Sequence, residues 1–198
     1  MKLIVVRHGE TEENKEGIIQ GHLPGTLSPL GREQAQKVAL RLQQESIDHI
    51  YTSDLARAAD TAKAIHAFHP QAPFIPTKDL RETYLGSWQG KTKQSLGLNS
   101  ATEYTNTAAY PPEVETREQL YARITLLLER TTRTHSGNTV VFVAHSGVNR
   151  MLLSHVKGFG FQGVEQVEKQ HNTAVSIVQF SLEKIWVVEQ ENSIDHLA

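Results

Sequence analysis

The chain contains no cysteine, so disulfide bonds, thiolate zinc sites and a cysteine nucleophile are all excluded. This absence also fits a reducing compartment, where disulfides rarely form. No segment approaches the ~20 apolar residues that a membrane-spanning helix needs. The N-terminal residues show no signal-peptide pattern. We therefore expect a cytoplasmic protein without a membrane partner.

The chain also has little excess charge of either sign. The 20 lysines and arginines nearly balance the 22 aspartates and glutamates, which gives a net charge of -2. This balance does not indicate a nucleic-acid partner, and any anion-binding site must be local. No repeat or linker divides the 198 residues, so we expect one domain over 1–198.

Apolar, β-branched runs alternate with helical patterns along the chain. The sequence predicts strands at 3–6, 49–52, 74–76, 139–144, 174–180 and 185–188, the third as an edge strand because of its proline. Helices are predicted after Ser28, over 55–68, after the capping-box pair Thr116 and Gln119, and over 148–156. This alternation predicts a three-layer α/β/α sandwich with a mostly parallel central sheet.

Residues from 86 to about 115 break this alternation. They are polar, contain glycines and a Pro-Pro pair, and have weak helical periodicity. We interpret them as a small, cap-like insertion over one end of the sheet. Tyr84, Leu85 and Trp88 at its start could either wall a substrate pocket or form a small apolar cluster that anchors the insertion.

Two of the predicted strands end in histidine. Arg7-His8-Gly9 follows the first strand, and His145-Ser146-Gly147 follows the strand at 139–144. In parallel sheets, ligands bind beyond the carboxyl ends of the strands, where these residues would lie. A lone histidine in such a position is more often structural, but two histidines with Arg7 and Arg57 predict a phosphate pocket. Arg57 could instead pair on the surface with Asp54 or Asp60.

Several motifs resemble those of the histidine phosphatase superfamily, also called phosphoglycerate-mutase-like. They run in order over nearly the whole chain: RHGET with Asn14, Gln20-Gly21, LSPLGREQA, YTSDLARAADTA, LRETYLGSWQGKT, VVFVAHSGVNRMLL and NSIDHL. The resemblance implies a phosphoglycerate-mutase-like fold and a phosphatase that needs neither a metal ion nor another cofactor.

The resemblance also implies a role for each matching residue. His8 matches the phosphorylated nucleophile, and Arg7, Arg57 and His145 match the groups that hold the phosphoryl oxygens. Glu82 matches the proton donor, although it could instead pair with Arg81. Further phosphate or substrate contacts are implied for five positions, namely Asn14, Gln20, Gly21, Ser146 and Gly147. We expect His8 to be neutral and His145 to be charged, since cationic neighbours disfavour a proton on His8.

Within the superfamily, the region after Glu82 resembles the phosphatase branch. Mutases typically carry a basic cluster there that holds the phosphoglycerate carboxylate, whereas residues 86–115 contain Lys91 and Lys93 and no arginine. The expected substrate is a small phosphomonoester, and the resemblance is to broad-specificity and α-ribazole phosphatases. A cofactor-dependent phosphoglycerate mutase and a phosphoserine phosphatase remain alternatives. The sequence does not fix the oligomeric state, and a homodimer stays open.

Two other classes of protein fit less well. A metallohydrolase would use His8, His145, Glu82 and Asp54 as ligands, but the chain lacks the paired spacing of a helical zinc motif. A non-catalytic phosphate binder would be expected to lack His8, Arg57 or Glu82, and all three are present.

Overall fold

The fold is built on one six-stranded sheet. The computed structural model describes residues 1–97, 111–181, 183 and 185–198. The strands are β1 (Lys2–Arg7), β2 (His49–Ser53), β3 (Phe74–Thr77), β4 (Thr139–Ala144), β5 (Val175–Phe180) and β6 (Trp186–Ser193). Their order across the sheet is β3-β2-β4-β1-β5-β6. The first four strands are mutually parallel, and β5 runs antiparallel to both of its neighbours.

Helices cover both faces of the sheet in the described part of the chain. They are α1 (Glu12–Lys15), α2 (Pro29–Leu42), α3 (Ala56–His66), α4 (Arg117–Thr134) and α5 (Ser146–Val156). Ser28 caps α2, and Thr116 forms the predicted capping box of α4 with Gln119. The short helix α1, capped by Thr11, was not predicted from the sequence.

The apolar run of β1 is continuous because each face of the strand packs into a separate core. Leu3 and Val5 lie in a core with α4 and α5, whereas Ile4 and Val6 lie in a core with α2 and α3. Successive side chains of a strand point to opposite faces, so a strand covered on both sides needs apolar residues at every position. The predicted three-layer α/β sandwich with a mostly parallel sheet is confirmed.

Parallel pairing brings three strand ends to one edge of the sheet. In the register of β1 against β4, Arg7 lies opposite Ala144, so the residues that follow each strand are neighbours. The strand β2 is parallel to β4 on its other side and leads into α3. Residues after β1, β2 and β4 therefore meet in one crevice, as expected for an open parallel sheet.

The described start of the predicted insertion packs against the body through a small apolar cluster. Leu85 and Trp88 are buried with Ile19 and Val114, which confirms the anchoring alternative for these two side chains. The remaining stretch, 98–110, lies outside the described residues, so the cap-like insertion and the single-domain boundary stay predictions. No helix in the described ranges is long and apolar enough to cross a membrane.

Candidate active site

His8 lies at the bottom of the crevice with a fixed ring orientation. Its side chain is 3% exposed, and Nδ1 is 2.7 Å from the carbonyl oxygen of Gly9. A carbonyl oxygen can only accept a hydrogen bond, so Nδ1 carries the proton and Nε2 keeps its lone pair. Burial, reinforced by the charges of Arg57 and Arg7, lowers the pKa of His8 well below its usual value of 6.5. The expectation of a neutral His8 agrees with this direction.

The second histidine, His145, lies beside the first, with their ring centroids 5.1 Å apart. It is fully buried, and its Nδ1 accepts a hydrogen bond from Nε of Arg57 at 3.2 Å. Nε2 therefore carries the proton. Burial, followed by the charge of Arg57, lowers the pKa of His145 well below 6.5. The expectation of a charged His145 was therefore wrong. A proton on Nδ1 would face the N–H of Arg57 Nε, and the site already holds the charges of Arg57 and Arg7.

Arg57 is a buried member of the site. It lies in the first turn of α3 and is 1% exposed, so the alternative of a surface ion pair was wrong. Its Nη2 donates to the Gly21 carbonyl at 2.8 Å, and its Nη1 donates to the carbonyls of Leu23 and Pro24. Burial lowers its pKa from 12.5 to about 10, so the guanidinium stays charged at neutral pH.

Arg7 approaches the crevice from the end of β1. One Nη nitrogen donates to the carbonyl of Gln170 at 2.7 Å, whereas Nε is buried and has no hydrogen-bond partner among the described residues. Nε2 of His145 is a second buried donor without a partner. Burial lowers the pKa of Arg7 to about 10, opposed by the negative charge of Glu82. Unpaired buried donors beside two cations favour an anion as the ligand.

The carboxylate of Glu82 lies beside the first turn of α5. Its Oε2 accepts from the backbone N–H of Gly147 at 3.2 Å, and its Oε1 accepts from that of Thr83 at 2.9 Å. A Cβ at Gly147 would lie 2.5 Å from Oε1, so the missing side chain makes room for this carboxylate. The alternative of a Glu82–Arg81 pair was wrong, because Arg81 instead binds both oxygens of Asp54 at 2.6 Å.

The other predicted contact residues mainly shape the loop around the crevice. Asn14 accepts from the backbone of Thr11 through its side chain, and Gln20 donates to the Thr11 hydroxyl at 2.8 Å. Gly21 supplies its carbonyl to Arg57. Ser146 and Gly147 form the first turn of α5. The structure places these residues around the site, while their contacts to substrate stay a prediction.

The loop also needs a glycine at position 25. Gly25 has a φ of 68°, in the left-handed region, and a Cβ there would lie 2.3 Å from Oε1 of Gln20 and 3.0 Å from Cδ of Arg57. The absence of a side chain lets the loop close over the buried guanidinium. The backbone carbonyls of Leu23 and Pro24 in the same loop supply acceptors for Arg57.

Two residues that the sequence did not single out hold the backbone of Glu82. His22 lies 2.8 Å from the Glu82 carbonyl through Nε2, and Arg123 donates to the same oxygen at 3.2 Å. Arg123 also forms a two-pronged ion pair with Glu115 at 2.6 and 2.9 Å. The exposed ring of Tyr84 stands edge-on to His22 at the rim of the crevice. No local motif marks these residues, since their meeting depends on the tertiary fold.

No group of three or more histidine, aspartate or glutamate side chains within the described ranges is arranged to hold a metal ion. Asp54, one of the ligands of the metallohydrolase alternative, is fully engaged by Arg81. The residues present therefore form an anion site lined by arginine and imidazole.

The two buried imidazoles predict a stability that depends on pH. Below about 6.5 the unfolded chain protonates these rings while the folded chain keeps them neutral, so the free energy of unfolding should fall as pH falls. One such histidine contributes at most about 1.4 kcal/mol per pH unit. The free energy of unfolding can be measured by urea denaturation at several pH values between 7.5 and 5.5. We expect it to fall less steeply with falling pH in His145→Gln than in the wild type. An equal dependence on pH in the wild type and in His145→Gln would contradict the assignment.

Comparisons with known proteins agree with this geometry. The profile described as "Histidine phosphatase superfamily (branch 1)" matches residues 3–193. Phosphoglycerate mutase-like protein 4 of Arabidopsis thaliana is 36% identical, over 99% of this chain and 86% of the relative. Metal-independent phosphoserine phosphatase of the same plant is 32% identical, over 100% and 83% of the two chains.

Solved structures show the same fold over the full length. Bacillus stearothermophilus YhfR superposes with a TM-score of 0.89 at 26% identity, covering 100% of this chain and 99% of its own. A broad-specificity phosphatase of Saccharomyces cerevisiae is 29% identical, over 100% of this chain and 87% of the relative. An adenosylcobalamin/α-ribazole phosphatase of Escherichia coli is also 29% identical, over 80% of each chain. The resemblance carried by the sequence motifs is therefore confirmed, and the chain belongs to branch 1 of the histidine phosphatase superfamily.

Proposed function

We propose that this histidine phosphatase hydrolyses small phosphomonoesters through a phosphohistidine on His8, without a metal ion. The observation that carries the proposal is the pair of buried, unpartnered donors, Nε of Arg7 and Nε2 of His145, beside the lone pair of His8 Nε2. A phosphoryl group bound there would accept both hydrogen bonds and present phosphorus to the nucleophile. Two buried cations would balance its negative charge.

The nucleophilic step requires a neutral, oriented imidazole. The Nδ1–H bond to the Gly9 carbonyl holds the ring and leaves Nε2 to attack. The lowered pKa of His8, caused first by burial and then by the arginines, keeps that lone pair available in mildly acidic solution. In the step, the Nε2–phosphorus bond forms and the bond between phosphorus and the ester oxygen breaks.

The arginines supply the charge stabilisation that a metal ion provides in other phosphatases. Phosphoryl transfer proceeds through a loose transition state whose charge is spread over three equatorial oxygens. Arg7 and Arg57 both stay protonated at neutral pH, since their pKa values are lowered only to about 10. Neutral His145 adds an N–H donor rather than a further charge.

Glu82 would donate a proton in the first half-reaction and accept one in the second. In its acid form it gives a proton to the departing alkoxide as the ester bond breaks. The resulting carboxylate then takes a proton from the water that attacks phosphorus, so inorganic phosphate leaves and both His8 and Glu82 return to their starting forms. The backbone N–H of Gly147 and the first turn of α5 would hold this carboxylate in place.

Water is the proposed acceptor of the phosphoryl group rather than a second phosphoglycerate. A mutase must bind the carboxylate of its substrate, and residues 86–115 contain two lysines and no arginine for that purpose. The relatives named as phosphoserine, broad-specificity and α-ribazole phosphatases support phosphorylated small metabolites as the substrate class.

The cysteine-free composition fits action in the cytoplasm, which stays our proposal for the location of the protein.

The proposal predicts hydrolysis without added metal. EDTA-treated protein should hydrolyse p-nitrophenyl phosphate, and His8→Asn should lower the rate at least about 10³-fold because the covalent route is lost. His66→Asn, at the far end of α3, is the matched control and should keep wild-type activity. Metal-dependent turnover, or turnover that survives His8→Asn, would overturn the proposal.

The role of Glu82 predicts an effect that depends on the leaving group. Glu82→Gln should lower the rate of transfer from an alkyl phosphate such as phosphoserine about 10²- to 10⁴-fold, because the alkoxide needs a proton. The first turnover of p-nitrophenyl phosphate should be much less affected, since p-nitrophenolate leaves readily without one. Rapid-quench measurements of phosphate transfer give both rates, and an equal loss with the two substrates would rule out proton donation by Glu82.

A further inference from the structure

Two residues behind the active site adopt an uncommon backbone conformation. Thr173 and Asn192 have φ angles of 54° and 53°, and they are the only non-glycine residues with positive φ in the described ranges. Both are buried, one in the turn that precedes β5 and the other in β6. Backbone of this kind persists where its surroundings hold it, and such positions cluster at functional sites.

Asn192 clamps the turn that precedes β5. Its Oδ1 accepts from the backbone N–H of His171 at 2.9 Å, and its Nδ2 donates to the carbonyl of Lys169 at 3.2 Å. These partners fix the orientation of the amide, since one is a donor and the other an acceptor. The hydroxyl of Ser176 accepts from the Asn192 backbone at 2.9 Å and contacts the side chain of Gln170. Gln170 is therefore held from both sides.

The clamped turn touches both residues at the end of β1. The Gln170 carbonyl accepts from Arg7 at 2.7 Å. The carbonyl of His8 accepts from the side chain of Asn172 at 3.1 Å and from the backbone of Thr173 at 3.3 Å. Hydrogen bonds with this turn therefore hold the guanidinium of Arg7 and the backbone of His8, two successive residues of the site.

We propose that residues 169–173 and Asn192 form a positioning brace for Arg7 and His8, with Asn192 as its key residue. The inference rests on the proposed function, since it assigns to the brace the alignment of the phosphate-binding arginine with the nucleophile. Asn192 acts through the Gln170 carbonyl and does not touch the phosphoryl group. Removal of its side chain would let the turn relax, and Arg7 would then lose the acceptor that orients its unpaired Nε.

Two substitutions of Asn192 remove side-chain hydrogen bonds of the brace while the backbone can keep its positive φ. Asn192→Gly keeps a residue suited to positive φ and removes both side-chain hydrogen bonds. Asn192→Asp keeps the shape and the acceptor for His171 but replaces the donor to Lys169 with a carboxylate oxygen. Both should lower kcat/KM about 10- to 100-fold, because small misplacements of catalytic groups are costly, and both should weaken inhibition by inorganic phosphate. Val188→Ala in the same strand, which removes a core contact away from the turn, is the control and should stay within about two-fold of the wild type.

A double-mutant cycle with Arg7 gives the readout that a general loss of stability would not produce. In the Arg7→Met background, Asn192→Gly should lower kcat/KM by a smaller factor than in the wild type, because the guanidinium that the Gln170 carbonyl holds is gone and only the contacts of the turn with His8 remain. Full additivity of the two losses, or wild-type kcat/KM in Asn192→Gly, would overturn the brace. Asn192→Asp serves the same cycle if Asn192→Gly does not fold. A wild type that lacks turnover would instead contradict the proposed function, so the two failures are distinguishable.

Discussion

The parallel pairing of β1 with β4 is the constraint on which the site depends. Its register sets Arg7 opposite Ala144, and the histidines that follow the two strands lie with ring centroids 5.1 Å apart. The same edge receives Arg57 from the start of α3, because β2 pairs with β4 on its other side. A shift of one residue in this register would turn the apolar side chains of β1 to the wrong cores, so core packing fixes the geometry of the crevice.

The site concentrates positive charge in a buried place, and backbone carbonyls make this tolerable. Arg57 donates to three carbonyls of the loop at 21–24, and Arg7 donates to that of Gln170. The lowered pKa values of both arginines show that burial still disfavours the charged forms. A bound phosphoryl group would relieve this cost. The buried arginines therefore lower the stability of the free protein but give the site a charge that suits an anion. The same surroundings keep both histidines neutral.

The sequence predicted the parts of the site that follow directly from strands. The run at 3–6 and the strand at 139–144 marked His8 and His145, the position of Arg57 after the strand at 49–52 added it to the predicted phosphate pocket, and the collinear motifs added Glu82. The charge of His145 was wrongly predicted, because its hydrogen bond with Arg57 appears only once the chain is folded. Asn192 and Arg123 were not found for a related reason, as their partners lie far away in sequence. Asn14 and Gln20 both contact Thr11, and their contacts to substrate stay a prediction.

In the proposed mechanism, one hydrogen bond, from His8 Nδ1 to the Gly9 carbonyl, selects Nε2 as the nucleophilic atom. The most direct test is to trap the phosphoenzyme by rapid alkaline quenching in the presence of EDTA and to identify the modified atom. We predict a phosphoryl group on Nε2 of His8, detected by peptide mass spectrometry and assigned by ³¹P NMR against both phosphohistidine isomers. Phosphate on Nδ1, on another residue or on no residue during turnover would contradict the account.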